Sequence, residues 1–334
     1  MRAYSGLIAV GAAALLVVGA AVAGSSVTAS ATVIAPKTAS AGILFGLGPE
    51  ADAARRAPLV GGAPVRMLTS WFNGTSDLSW MGKWRSTVVE PAYRKGFALH
   101  LVVWDGGSEG PLETRYGVAC GRAYALSSQF LNDMHVLART FAGGPHDALY
   151  VTLFAEFQTY PCVDNAWAPD PQTTAYYLAL KDQYRAALAI FHDEAPNARV
   201  SLGWGGWQAS WNNPATGGGR SLFAHFADVM RMSGFQSFQS LQSSTAVRDA
   251  AAMTRALARY GPVMLAFYKP SGTTVAAEQA QLSAFLSPSN LDRLRRSGLF
   301  GLSFMDTSFM GDPSTLKLIE SAVASSGCRR CTPP

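Results

Sequence analysis

Glu156 is the sharpest chemical feature of this 334-residue chain. It follows the apolar run Tyr150-Val151-Thr152-Leu153-Phe154, and no other acid stands between Asp147 and Asp164. A carboxyl at the end of such a run is partly desolvated, which penalises its charged form, raises its pKa and suits it to act as a general acid. The structural alternative is a glutamate held by an arginine or by backbone donors to brace a loop. Asp105 and Asp306 also follow apolar runs and are the candidates for a second carboxyl. Asp105 precedes Gly106-Gly107, so an Asx turn competes with chemistry there. Asp306 precedes Thr307-Ser308, where helix capping or loop bracing competes. Glu50 reads as a solvent-facing residue opening a helix.

Around these acids the ends of the apolar runs are rich in flat rings and amides. Trp71, Trp104, Trp204, Trp207, Tyr160 and Tyr268 supply the rings, and Asn73, Gln158, Gln208 and Gln239 the amides, with Lys269 beside Tyr268. Rings that stack on pyranose faces, with amides for hydroxyl groups, are what a carbohydrate cleft needs. The competing reading makes Trp71, Trp104 and Trp204 core plugs. Other chemistries find little support. The five histidines form no H-E-x-x-H, no G-x-S-x-G occurs, and Gly217-Gly218-Gly219-Arg220 lacks the Walker residues. No metal and no cofactor is expected.

The elements that must position these groups repeat by type. Eight short apolar or β-branched runs stand at Gly42–Leu47, Val65–Trp71, Ala98–Trp104, Ala148–Phe154, Arg199–Trp204, Phe235–Gln239, Val263–Phe267 and Leu299–Phe304. Several are continuously apolar, as in strands covered on both faces. Helical spacing fills the gaps, at Ser128–Phe141, Thr174–Ala195, Leu222–Met232, Thr245–Tyr260, Thr274–Ser297 and Pro313–Ser325. Alternating strand and helix implies parallel strands with right-handed crossovers. Eight such units, without a Gly-x-Gly-x-x-Gly after the first strand, predict an α/β fold, a single (β/α)8 TIM barrel over residues 41–326. In that fold chemistry sits past the C-terminal ends of the strands, where Glu156, Asp105 and Asp306 all fall.

The first 23 residues read as a signal peptide. Arg2 precedes the apolar run Leu7–Ala23, and Ala21-Val22-Ala23 fits an A-x-A cleavage site; an uncleaved anchor is the alternative. Residues 24–40 read as a flexible leader and 327–334 as a tail. A secreted, extracellular protein is expected, without stable membrane insertion after cleavage. Its four cysteines then read as disulfides, and of the three possible pairings Cys120–Cys162 with Cys328–Cys331 is favoured. Charged residues are only 15% of the chain and hydrophobic ones 49%, which excludes intrinsic disorder. The net charge of +5 is spread diffusely, so nucleic acid is not an expected partner. A monomer acting on a polysaccharide or oligosaccharide is expected.

The order of elements resembles the glycoside hydrolases built on (β/α)8 barrels, particularly the family 26 mannanase-like group. The resemblance rests on Gly48-Pro49 after the first strand, Trp71-Phe72 after the second, Leu101-Val102-Val103-Trp104 as the third and Leu153-Phe154-Ala155-Glu156 as the fourth. It implies that Glu156 is the acid/base glutamate. The nucleophilic glutamate that the resemblance implies on strand seven would fall near Phe267, but no carboxylate lies between Gly261 and Val275. Three readings follow: Glu156 working with Asp105 or Asp306, by retention or inversion according to their separation; Tyr268 or Lys269 supplying the missing group; or a non-catalytic carbohydrate-binding barrel. A lyase using Lys269 and Tyr160 as base and acid is a further variant. The amides point to a neutral extracellular or cell-wall polysaccharide.

Overall fold

A computed structural model describes residues 42–54, 65–104, 106, 109–158, 171–211 and 222–328. Eight parallel strands close into a barrel: β1 (Leu44–Leu47), β2 (Met67–Phe72), β3 (Ala98–Val103), β6 (Leu149–Leu153), β7 (Ala198–Trp204), β8 (Gln236–Leu241), β9 (Val263–Lys269) and β10 (Leu299–Phe304). Going round, the order is β1-β10-β9-β8-β7-β6-β3-β2. The protein is a single (β/α)8 barrel, as expected. Its signal-peptide, leader and tail readings lie outside the described residues, apart from Gly327 and Cys328.

The remaining two strands, β4 (Glu109–Thr114) and β5 (Gly117–Arg122), form an antiparallel hairpin after β3 that the sequence reading did not anticipate. It docks on a long helix of the outer layer. Of the longer helices, α1 is Ser128–Phe141, α2 Pro171–Glu194, α3 Ala246–Leu257, α4 Val275–Phe285, α5 Pro288–Arg296 and α6 Pro313–Ser326. Gly121 of β5 lies so close to Tyr176 of α2 that a Cβ would come within 2.1 Å of the ring. At the hairpin tip Tyr116 donates to Asp182 of α2 at 2.7 Å.

Local chemistry sets the helix boundaries. The hydroxyl of Ser127 accepts the Phe130 N–H and caps α1, which buries Phe130, Met134, Leu137 and Phe141 at helical spacing. The single helix predicted over Thr274–Ser297 is two, because Pro288 cannot continue a helix but fits the first turn of the next, with Ser287 as its cap. The predicted Leu222–Met232 helix likewise divides, into Leu222–His225 and Ala227–Met232.

Alternate strand residues face the barrel axis and fill it in layers. At the N-terminal end Leu44, Met67, Tyr150, Phe235, Met264 and Phe300 pack together. Above them lies a polar layer. Thr69 is 2.6 Å from Ser303 and 3.3 Å from His100 Nδ1, His100 Nε2 is 2.9 Å from Thr152, and Thr152 donates to Ser237 at 3.1 Å. Because the Thr152 proton goes to Ser237, His100 must donate through Nε2 and accept from Thr69 through Nδ1. Burial holds the His100 ring neutral, its pKa down to about 3. Val102, Ala155, Ala266 and Phe267 close the axis at the C-terminal end, forming the floor of whatever lies above. Among the described residues no helix is long and apolar enough to cross a membrane.

Candidate active site

A cavity of about 520 Å³ opens at the C-terminal end of the barrel, where the fold places chemistry. Four residues singled out from sequence share it: Trp71, Asn73, Trp104 and Glu156. Trp71 packs edge-on against the floor residue Phe267, ring centroids 4.5 Å apart. Its indole N–H is buried and without a partner among the described residues, and an unmet buried donor costs about 1–3 kcal/mol.

The chain around Glu156 is bent and tied. Phe154 and Glu156 have φ of +56° and +61°, left-handed conformations that cost of order 1–3 kcal/mol each in a residue with a side chain. Two backbone bonds hold the bend, from Ala155 N–H to Val103 O (3.1 Å) and from Glu156 N–H to Gly203 O (2.9 Å). Gly203 has to be glycine for this, since its Cβ would lie 2.8 Å from the Ala155 Cα. The result is a half-buried glutamate turned into the cavity. Burial pushes its carboxyl up to about 7, against the opposing pull of the Arg122 charge.

Arg122 was not among the expected site residues. The hairpin delivers it from β5, with its guanidinium 4.9 Å from the centre of the Trp104 ring and paired to Glu109 Oε1 at 3.0 Å. Trp80 was also missed and lines the same cavity, and so does Glu50, read from sequence as a solvent-facing residue opening a helix. Glu50 is exposed, as expected, at the rim after β1 and opens the short helix Ala51–Ala54, and the backbone on both sides of it is fixed. Trp71 N–H donates to Pro49 O (3.1 Å), Ala54 N–H to Glu50 O (2.8 Å) and Ala51 N–H to Ser70 Oγ (3.1 Å).

The other expected residues are placed differently. Trp204 is a correction: fully buried, it points outward from β7 into a nest of Phe157, Phe223 and Phe226. Tyr268 is another; it stacks on Phe285 of α4, centroids 4.1 Å apart, and burial raises its phenol pKa. Neither ring reaches the cavity. Gln158, Gln208 and Gln239 are buried beside it rather than in its lining, each with a side-chain oxygen unpartnered among the described residues. Gln158 donates to Gly205 O at 3.4 Å, and half-buried Trp207 lies against the same Gly205.

Lys269 and Asp306 bind each other at 3.0 Å. Burial raises the Asp306 pKa, but the Ser308 hydroxyl and N–H and the Lys269 charge outweigh it and hold the carboxylate below its ordinary range. That is loop bracing, and Asp306 does not line the cavity. Asp105, Tyr160, Cys162 and Cys331 lie outside the described residues; Cys120 and Cys328 are not free thiols. Among the described residues no group of His, Cys, Asp or Glu could hold a metal ion.

No known sequence family matches the chain, and no curated protein matches it in sequence. Solved structures do match in fold. A psychrophilic glycoside hydrolase family 10 endo-β-1,4-xylanase superposes with TM-score 0.54 at 9% identity over 86% of this chain and 96% of that one. GH26C from a Muricauda species gives 0.51 at 10% identity, covering 86% of each chain. Xylanase XynB from Paenibacillus barcinonensis gives 0.50 at 12% identity, covering 80% of this chain and 84% of that one. At such identities the likeness is one of fold, and the expected similarity to glycoside hydrolase barrels holds at that level.

Proposed function

We propose that this protein hydrolyses glycosidic bonds in a neutral extracellular or cell-wall polysaccharide, with Glu156 as the general acid. The carrying observation is Glu156 itself: a half-buried carboxyl at the end of the fourth barrel strand, lining an aromatic cavity and protonated up to a pH of about 7. Its proton goes to the glycosidic oxygen as the bond to the anomeric carbon breaks, and water supplies the hydroxyl of the new reducing end. Trp71, Trp80 and Trp104 supply rings on which sugars can stack. The neighbours in fold, a xylanase among them, support a polysaccharide as substrate. Export as a monomer, with Cys120 paired to Cys162 and Cys328 to Cys331, completes the reading.

One observation favours a second reading, a barrel that binds glycan without cleaving it. Phe267 occupies the strand-seven place where the family resemblance calls for a nucleophile, and it is packed into the apolar floor. The experiment that separates the two incubates the chain without residues 1–23 with xylan, mannan and other neutral polysaccharides and measures new reducing ends. Hydrolysis predicts sugar release that Glu156→Gln abolishes. Binding alone predicts no release, affinity unchanged in Glu156→Gln, and affinity lost in Trp104→Ala.

A further inference from the structure

Hydrolysis through Glu156 leaves one role empty. A glycosidase needs a second carboxyl, either close enough to attack the sugar or further off so that water fits between. Of the two acids that sequence offered, Asp306 is bound to Lys269 and Ser308 and does not line the cavity, and Asp105 lies outside the described residues. Among the described residues one other carboxylate lines the cavity with Glu156, and it is Glu50.

Three observations converge on it. In the eight-stranded ring, β1 and β6 are three steps apart through β2 and β3; strand seven, β9, is also three steps from β6, on the other side. Glu50, just past β1, therefore shares the cavity with Glu156 from the mirror position of the strand where the nucleophile is missing. Its backbone is clamped by the bonds at Pro49, Glu50 and Ala51, so the side chain starts from a fixed point over the mouth. Finally, its carboxylate is uncommitted: among the described residues no hydrogen bond or ion pair engages it, in contrast to Asp306. The cavity of about 520 Å³ leaves room for a water, about 30 Å³, beside a sugar ring.

Resting on the hydrolase reading, we propose that Glu50 is the base of an inverting mechanism. A water held by Glu50 attacks the anomeric carbon from the face opposite the leaving oxygen. The water's proton passes to Glu50, the C–O bond breaks, and the Glu156 proton goes to the departing oxygen. Water is consumed and the anomeric configuration inverts.

The test uses the wild-type chain, Glu50→Gln, Glu50→Ala and Asp105→Asn on xylohexaose and mannohexaose, with circular dichroism confirming that each variant folds. Loss of the base lowers kcat about 100-fold or more in the Glu50 variants; that loss in Asp105→Asn with Glu50→Gln undiminished would make Asp105 the base and overturn the assignment. The first anomer seen by proton NMR has the opposite configuration to the substrate, and azide restores turnover in Glu50→Ala, giving the glycosyl azide of inverted configuration. An active wild type with an undiminished Glu50→Gln, or a retained anomer, overturns the assignment of Glu50 and leaves the hydrolase reading standing. A wild-type chain that cleaves neither these oligosaccharides nor the polysaccharide panel overturns both.

Discussion

The two halves of the barrel mouth differ in which side chains they turn to the cavity. On the side of β1, β2, β3 and β6 the rim presents Glu50, Asn73, Trp71, Trp104 and Glu156 to the cavity. On the side of β8, β9 and β10 the described residues that line it are Leu241 and Met305, while Lys269 and Asp306 neutralise each other and Tyr268 is buried among the helices. Both halves carry ionisable residues at strand ends. A carboxylate whose oxygens already accept from a lysine and a serine has its charge stabilised and its proton affinity lowered, the opposite of what a general acid requires.

The strongest way to break this contrast is to neutralise one carboxyl from each half. Glu156→Gln is expected to lower kcat by about 10²–10⁴. Asp306→Asn should change it less than about tenfold, the equivalent of 1.4 kcal/mol in barrier. Initial rates on the cleaved polysaccharide decide the matter, and equal losses would put the working carboxyls on both sides of the mouth.

A tryptophan pair sharpens the same division. Trp204→Ala should destabilise the fold by about 3–5 kcal/mol, read by urea unfolding, because it empties a fully buried aromatic nest. Trp71→Ala removes a half-buried ring from the cavity wall, so its main effect should be a KM raised about tenfold, near 1.4 kcal/mol, with a smaller loss of stability. The Lys269–Asp306 pair, with side chains 26% and 20% exposed, comes next. Asp306→Asn should cost about 1.5–3 kcal/mol in stability, the range for hydrogen bonds to charged groups, again by urea unfolding.

This division was partly legible beforehand. The eight barrel strands were, because strands buried on both faces leave apolar runs that few loops imitate. Strand parity also separates two of the tryptophans: Val200, Leu202 and Trp204 share the outward face of β7, whereas Met67, Thr69 and Trp71 share the inward face of β2. Tyr268 could not be placed that way. The pairing of β8 with β9 skips a residue between Leu265 and Phe267, so Ala266 and Phe267 both reach the central cluster and Tyr268 is flipped outward. The hairpin that brings Arg122 was hidden for a different reason. Its first strand, Glu-Gly-Pro-Leu-Glu-Thr, lacks strand propensity and is held by docking on α2, a contact distant in sequence. Glu50 was legible as an acid after the first strand, but its direction depends on the bonds around Pro49 and Ala51.

The smallest expected effect tests what the hairpin does to the acid. The Glu156 carboxyl rises from its ordinary 4.5 to about 7 through burial, and the Arg122 charge limits that rise. The folded state therefore keeps the proton longer than the unfolded chain, so the stability from Glu156 is full below about 4.5 and is lost as pH rises through about 7. Glu156→Gln should accordingly raise Tm relative to wild type at pH 8 and have less effect at pH 4. With the acid active only when protonated, turnover in the wild type should fall on the alkaline side of about 7. Replacing both members of the Arg122–Glu109 pair by glutamine removes the opposing charge without stranding Glu109, and moves that alkaline limb to higher pH. Arg122→Lys should bring it back toward wild type, because the charge and not the planar fork is what acts on Glu156. An alkaline limb that stays in place in the double variant would take Arg122 out of the acid's tuning.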